Sequence, residues 1–182
     1  MKNIIEKIKE NNIRIIAIDG RCASGKTTIG NELAKFLNAE VIHMDDFFLS
    51  NKQKTKERLT EVGGNIDYDR FLNEVLSKLR INEPFSYQVF DCSSQTFNKI
   101  VEIKNNGYII IEGTYSQHPK FITFYDYQIF VTVNEKEQLE RLKIRNPRLL
   151  NRFTQEWIPM EEEYFQTFKI KNNADYLIDT SI

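Results

Sequence analysis

Gly20-Arg21-Cys22-Ala23-Ser24-Gly25-Lys26-Thr27 matches G-x-x-x-x-G-K-[ST] in full, and the apolar run Ile13-Arg14-Ile15-Ile16-Ala17-Ile18 precedes it. A loop that cradles phosphates needs a buried strand to deliver it and a helix to follow, so that backbone N–H groups and the helix N-terminus surround the anion. Thr28 to Leu37 supplies that helix, with Ile29, Leu33, Phe36 and Leu37 expected on one face. The reading is nucleotide binding. Gly20, Ala23, Ser24, Gly25, Lys26, Thr27 and Thr28 form the phosphate cradle, Lys26 reaches the β- and γ-phosphates, and the Thr27 hydroxyl ligates Mg²⁺. Thr28 starts the helix rather than acting chemically.

The rest of the chain bounds what this loop can serve. At 182 residues it suits one domain, spanning 1–182, and 41% hydrophobic with 28% charged residues is the composition of a soluble globular protein. A formal charge of −1 argues against a nucleic-acid binder working through a basic surface, and leaves a small molecule as the expected partner. No apolar segment has the length of a membrane span, and Met1 to Asn12 lacks a signal-type apolar stretch, so a cytoplasmic location and no membrane partner are expected. Association into a homo-oligomer stays compatible with this composition. Cys22 and Cys92 are the only cysteines and have no metal-ligand neighbours, which suggests neither zinc nor a disulfide. Cys22 reads as a small loop residue; the alternative is a thiolate switch stabilised by nearby N–H groups.

Along the chain, Glu40-Val41-Ile42-His43-Met44 reads as a short strand ending at Asp45-Asp46-Phe47-Phe48. Carboxylates at the carboxyl end of a parallel strand arrive where ligands gather, so Asp45 or Asp46 is placed to take a hydroxyl proton or to touch the metal through water. His43, within the strand, reads as a packing residue. Ser50 to Asn65 is polar, lysine-rich and closed by Gly63-Gly64, a mobile surface segment by composition. Asp67 precedes a helix with Phe71, Leu72, Val75, Leu76 and Leu79 on one face, and helix capping and substrate binding compete evenly for it. Residues 84–104 hold two strand-like runs, a hairpin excursion that would wall a substrate pocket. Tyr108 to Gly113 is an apolar strand ending in Glu112, which would act through metal-bound water or hold the catalytic carboxylate. His118 reads as a loop histidine.

Asp126 to Val133 is a further buried strand, followed by a helix from Glu135 bearing Leu139, Leu142 and Ile144. Arg141, Arg145, Arg148 and Arg152 cluster around Asn146-Pro147. A helix running into an arginine-bearing stretch, about 145–156, is what a lid over transferring phosphates needs. Arg145, Arg148 and Arg152 are the phosphate candidates, and Arg141 is read as structural. A second helical segment after Pro159 carries aromatic packing residues, and Ala174 to Asp179 forms a final edge strand.

Taken in order, these segments resemble the uridine kinase-like branch of the P-loop nucleoside and small-molecule kinases, from about Ile15 to Asp179. The likeness is carried by the phosphate loop, His43-Met44-Asp45-Asp46-Phe47-Phe48, Asn65-Ile66-Asp67-Tyr68, Val89-Phe90-Asp91, Ile111-Glu112-Gly113, the arginine lid and Ala174-Asp175-Tyr176-Leu177-Ile178. It implies an α/β three-layer P-loop NTPase fold with a five-stranded parallel sheet, a small hairpin excursion and a helical lid. ATP or GTP is then the donor, with Mg²⁺. Asp45 is the base for a sugar hydroxyl, with Asp46 beside it in the substrate site. Thr27, Asp45 and Glu112 serve the metal site, and Lys26, Arg145, Arg148 and Arg152 the phosphates. Asp67 contacts the sugar hydroxyls of a uridine or cytidine acceptor.

Two departures fall in the acceptor pocket. A tyrosine–aspartate pair in uridine and cytidine kinases is Phe90-Asp91 here, and Gln95 or its neighbours stand where a pocket histidine is expected. Another nucleoside, or a pantothenate-like or sugar-type alcohol, fits the same machinery. A second class of function is a nucleotide-binding regulatory module that transfers nothing. A GTPase is disfavoured by the missing Asn-Lys-x-Asp signature, and an ABC-type ATPase by the missing Leu-Ser-Gly-Gly.

Overall fold

The structure, a computed structural model, describes residues 2–182. Its strands are β1 (Ile15–Gly20), β2 (Glu40–His43), β3 (Phe85–Asp91), β4 (Thr96–Ile103), β5 (Ile109–Glu112), β6 (Tyr127–Thr132) and β7 (Tyr176–Asp179). The helices are α1 (Lys2–Glu10), α2 (Lys26–Leu37), α3 (Lys56–Thr60), α4 (68–79), α5 (Glu135–Arg145), α6 (150–167) and α7 (Ile170–Asn173). Every residue of β1 is buried, as a central parallel strand covered on both faces requires. It lies in a five-stranded parallel sheet of order β2-β5-β1-β6-β7.

The period of two in the strands splits the core into two layers. Ile16 and Ile18 of β1, Ile110 of β5, and Ile129 and Val131 of β6 face Ile4 and Ile8 of α1 and Ile29, Leu33 and Leu37 of α2. Ile15, Ala17, Ile109, Ile111 and Phe130 point the other way, onto Phe71, Val75, Leu76 and Leu79 of α4 and Tyr164 and Phe165 of α6. The three-layer α/β fold expected from the sequence is therefore present, and β3 and β4 form a separate antiparallel hairpin.

Three local expectations are corrected. Phe36 lies off the buried stripe of α2, where the spacing Ile29, Leu33, Leu37 already fills the contact with the sheet. Ile144 likewise points outward, and the buried positions of α5 are Gln138 and Leu142. Pro159 does not open a new helix. Proline cannot donate to the preceding turn, and the widened π turn Phe153–Trp157 lets α6 pass through it unbroken. Residues 50–65 are mostly exposed, as expected of a surface segment; they include α3, and Arg58 donates to the Ile66 carbonyl and lies 4.0 Å over the Tyr68 ring. No helix is long and apolar enough to cross a membrane among the described residues.

Candidate active site

β1 hands the chain to the phosphate loop through Gly20, whose φ is +139° and whose place a Cβ could not share: it would stand 1.9 Å from the Val131 carbonyl oxygen of β6. That carbonyl also accepts from the Arg21 N–H at 3.2 Å, closing the loop stem onto the sheet. Gly25, with φ +92°, caps α2, and a Cβ there would meet nothing within 4 Å, so the loop is open on the side where a phosphate group would lie. The Lys26 ammonium crosses the loop, donating to the carbonyls of Gly20 at 2.7 Å and Arg21 at 2.8 Å. Arg141 and Thr180 hold the far side, through the carbonyls of Ala23 at 3.2 Å and Ser24 at 2.9 Å. Arg141, read from the sequence as structural, thus braces the loop itself. Thr27 and Thr28 are exposed at the first turn of α2.

Parallel register gathers the acidic strand ends beside this loop. Glu112 of β5 is level with Ile18 of β1 and with His43 of β2. The Thr27 hydroxyl lies 3.2 and 3.3 Å from the two Glu112 oxygens, and His43 Nδ1 lies 2.6 Å from Glu112 Oε1. That bond raises the His43 pKa, so His43 orients Glu112 as well as packing. A hydroxyl and a carboxylate are the hard oxygen donors that Mg²⁺ takes, and that ion binds through one or two carboxylates plus phosphate oxygens and water rather than a protein cage. Thr27 and Glu112 fit it.

The chain leaves β2 in a 3₁₀ turn, Met44–Phe47, whose buried Met44 and Phe47 anchor Asp45 and Asp46 at the site. Asp45 is open to solvent at the mouth of a cleft. The protein packed behind its carboxylate raises its pKa, Lys26 opposes this, and Glu112 and Asp46 add to it. Asp46 is restrained: Tyr87 of β3 donates to Oδ2 at 2.9 Å, and Arg70, lying 4.2 Å over the Phe47 ring, donates to the Asp46 carbonyl.

The cleft, ≈ 400 Å³, is lined by Asp45, Asp46, Phe48 and, from the hairpin, Val89 to Cys92 with Asn98. Phe90 and Asp91 are thus brought to the two aspartates. Asp91 is already engaged: Oδ1 accepts from the Ser93 N–H and hydroxyl, both at 2.7 Å, and Oδ2 from Asn98 Nδ2 at 3.0 Å. Gln95 sits at the hairpin turn outside the lining, accepting from the Asn51 N–H at 2.7 Å. Asp67 caps α4, Oδ1 accepting from the Arg70 N–H at 3.1 Å, while Oδ2 accepts from Gln53 Nε2 at 2.6 Å. Of the exposed lid arginines, Arg145 donates to Asn146 at 2.8 Å, Arg152 pairs with Glu156 at 3.0 Å and lies over Trp157, and Arg148 is exposed between them.

Beneath the loop lie groups that sequence reasoning missed. Asp19, fully buried at the end of β1, accepts from the Gly20 N–H at 2.6 Å, the Gln117 N–H at 3.0 Å and the Tyr164 hydroxyl at 2.8 Å. Its one visible signal was a charge inside an apolar strand. Glu161, buried, accepts from the Cys22 N–H at 2.8 Å; nothing in the run Glu161-Glu162-Glu163 marks it. Burial and Glu161 push the Cys22 thiol up to about 12, which removes the thiolate switch. His118 lies in a loop, as expected, but is buried there between Tyr68 and Tyr164, and burial lowers its pKa to about 4.

Burial also lifts the Asp19 carboxyl from 3.8 to about 6, against the pull of its hydrogen bonds and Lys26. The folded chain therefore holds that proton more tightly than the unfolded one. The resulting stabilisation is complete below an ordinary carboxyl pKa and is lost as pH rises through about 6, an effect of about 3 kcal/mol. Urea unfolding across pH 4–7 is expected to show this slope in the wild type and a flatter one in Asp19→Asn, whatever constant offset the lost acceptor adds. Equal slopes would show that Asp19 does not titrate there.

The family model for shikimate kinase matches residues 22–92, from the phosphate loop to the hairpin. No curated protein sequence matches the chain. Among solved structures, it is similar to a possible uridine kinase from Bacillus stearothermophilus, at 18% identity, covering 98% of each chain, with a TM-score of 0.71. It is similar as well to a proposed fructose transport system kinase from Silicibacter sp. TM1040, at 20% identity, covering 96% of this chain and 97% of that one, again with a TM-score of 0.71. At such identities the likeness is one of fold, and the fold is that of the P-loop kinases, as the resemblance implied.

Proposed function

We propose that this chain is a phosphotransferase that moves the γ-phosphoryl group of ATP or GTP onto a hydroxyl of a small molecule, and that the acceptor is a pyrimidine nucleoside phosphorylated at its 5′-hydroxyl. The observation that carries this reading is the placement of Asp45 at the mouth of the ≈ 400 Å³ cleft, on the same end of the sheet as Lys26, Thr27 and Glu112. A site that only sensed nucleotide would need no second cleft beside the acidic end of β2; 400 Å³ lies in the range of small-molecule sites. Phe48 and Phe90 offer aromatic faces for a base.

In this reading Asp45 accepts the proton of the attacking hydroxyl, and Asp46, held by Tyr87, positions the acceptor. Lys26 and the loop N–H groups bind the phosphates, and the arginines of 145–156 close over them and exclude water. Mg²⁺, held by Thr27 and by Glu112, would neutralise charge on the β- and γ-phosphate oxygens. Catalysis rests on positioning and electrostatics more than on covalent chemistry.

A second acceptor class is favoured by one observation: Asp91 is spent on the hairpin's own hydrogen bonds and Gln95 on the Asn51 N–H and the Cys92 carbonyl, which leaves fewer groups to read a base edge. Acceptor-dependent ADP formation across a panel of nucleosides, sugars and carboxylated alcohols tests both. Stimulation by uridine or cytidine is expected. Stimulation by a sugar alone would move the acceptor class, and tight ATP binding with no stimulating acceptor would favour a regulatory module.

A further inference from the structure

We propose that Glu161 is a positioning residue for the phosphate loop, setting the peptide plane that seats Lys26; the proposal rests on the nucleotide-binding part of the reading above. One turn of α6 reaches the stem of the loop with three side chains. Glu161 Oε2 accepts from the Cys22 N–H at 2.8 Å, Glu162 takes Arg21 through both oxygens at 2.6 and 3.1 Å, and the Tyr164 hydroxyl donates to Asp19 at 2.8 Å. Of the two glutamates, Glu161 is the buried one, at 7% exposure. A buried carboxylate is stable only where donors and positive charge meet it. Burial raises the Glu161 pKa, and the attraction of Lys26 and the Cys22 N–H work against that rise.

The consequence lies in the peptide between Arg21 and Cys22. Its N–H is bound by Glu161, and its carbonyl is one of the two acceptors of the Lys26 ammonium, at 2.8 Å. A peptide unit is planar, so fixing the N–H fixes the carbonyl. The other acceptor, the Gly20 carbonyl, lies 3.3 Å from the Thr114 hydroxyl, which itself stands 3.4 Å from Glu161 Oε1. The single Thr114 proton can serve only one of these two acceptors at a time, so it is the Arg21 carbonyl that Glu161 orients, through the shared peptide plane. Because α6 also carries Arg152 near its start, the helix that bears the lid's last arginine is the helix that sets the loop.

The test is MgATP binding by titration calorimetry on the full chain, which needs no acceptor, with thermal unfolding recorded alongside. Glu161→Ala removes the acceptor of the Cys22 N–H and is expected to weaken MgATP about tenfold, as the loss of one charge-assisted bond would. Glu161→Asp keeps the charge but loses the reach, and is expected to behave likewise. Glu161→Gln keeps an oxygen for Cys22 and is expected to stay within about threefold of wild type. A merely structural residue would lower the unfolding midpoint in all three and leave the affinity of the folded protein unchanged. Folded Glu161→Ala or Glu161→Asp binding MgATP as tightly as wild type overturns the proposal, and Glu161→Asp carries the test if the alanine variant does not fold. A wild-type chain that binds MgATP but phosphorylates nothing removes the kinase and leaves this proposal standing. One that does not bind MgATP removes both.

Discussion

Asp45→Asn is expected to lower acceptor-dependent turnover by roughly 10²–10⁴-fold, the span of a lost general base, while MgATP affinity stays within about twofold. Asparagine keeps the shape of the side chain and its place on the 3₁₀ turn, so the loop, Thr27 and Glu112 are undisturbed. What it removes is the ability to take a proton. The carboxylate of Asp45 is suited to that task because packed protein and the neighbouring Glu112 and Asp46 charges raise its pKa, with Lys26 limiting the rise. Asp46→Asn is the informative companion. Asp46 already receives the Tyr87 hydroxyl, and an asparagine carbonyl can still do so, so its loss of turnover is expected to be about tenfold or less. Steady-state rates with the best acceptor, set beside calorimetric MgATP affinities, decide the matter. Unchanged turnover in Asp45→Asn would remove it as the base, and a deeper loss in Asp46→Asn would transfer the role to Asp46.

Gly20→Ala is expected to be the most damaging small substitution in the fold, costing on the order of 4 kcal/mol from backbone strain and overpacking together. The added methyl would stand 1.9 Å from the Val131 carbonyl oxygen, at a φ of +139° that side-chain-bearing residues rarely adopt. Relief requires β1 and β6 to part at their carboxyl ends, which breaks the Arg21 N–H bond to Val131 and moves the loop off the sheet. Against a total stability of about 5–15 kcal/mol, such a loss is a large share. Gly30→Ala makes the control. Its Cβ would lie 3.6 Å from Glu112, an ordinary contact, in the middle of α2, and alanine there is expected to gain about 0.5–1 kcal/mol. Urea midpoints of the two variants should move in opposite directions. A Gly20→Ala chain as stable as wild type would mean that β1 and β6 are not locked at this point.

Much of the architecture is written in short-range pattern. A wholly apolar strand, a glycine-rich loop and a helix with Ile29, Leu33 and Leu37 in step identify the first βα unit, and the same alternation of periods repeats through β7. Patterns were misleading where a local rule had a neighbour to answer to. Pro159 reads as a helix start, yet the π turn before it absorbs the missing donor. His118 stands in the loop that Pro119 and Lys120 suggest, but it is buried there, because Tyr68 and Tyr164 close around it.

The sequence by itself determined that a nucleotide-type phosphate loop sits at the end of a buried parallel strand, and that carboxylates stand at the ends of two more. Those properties depend on residue type and spacing over a dozen positions, which is the range a helix or strand period can carry. Only the tertiary structure decided which groups complete the loop. Glu161 meets the Cys22 N–H across 139 residues of chain, Arg141 meets Ala23 across 118, and Asp19 meets Tyr164 across 145. No period links such pairs. They are set by the sheet order, which brings β6 against β1, and by the face of α6 that packs onto the sheet, where burial makes each unpaired polar group costly enough to demand its partner.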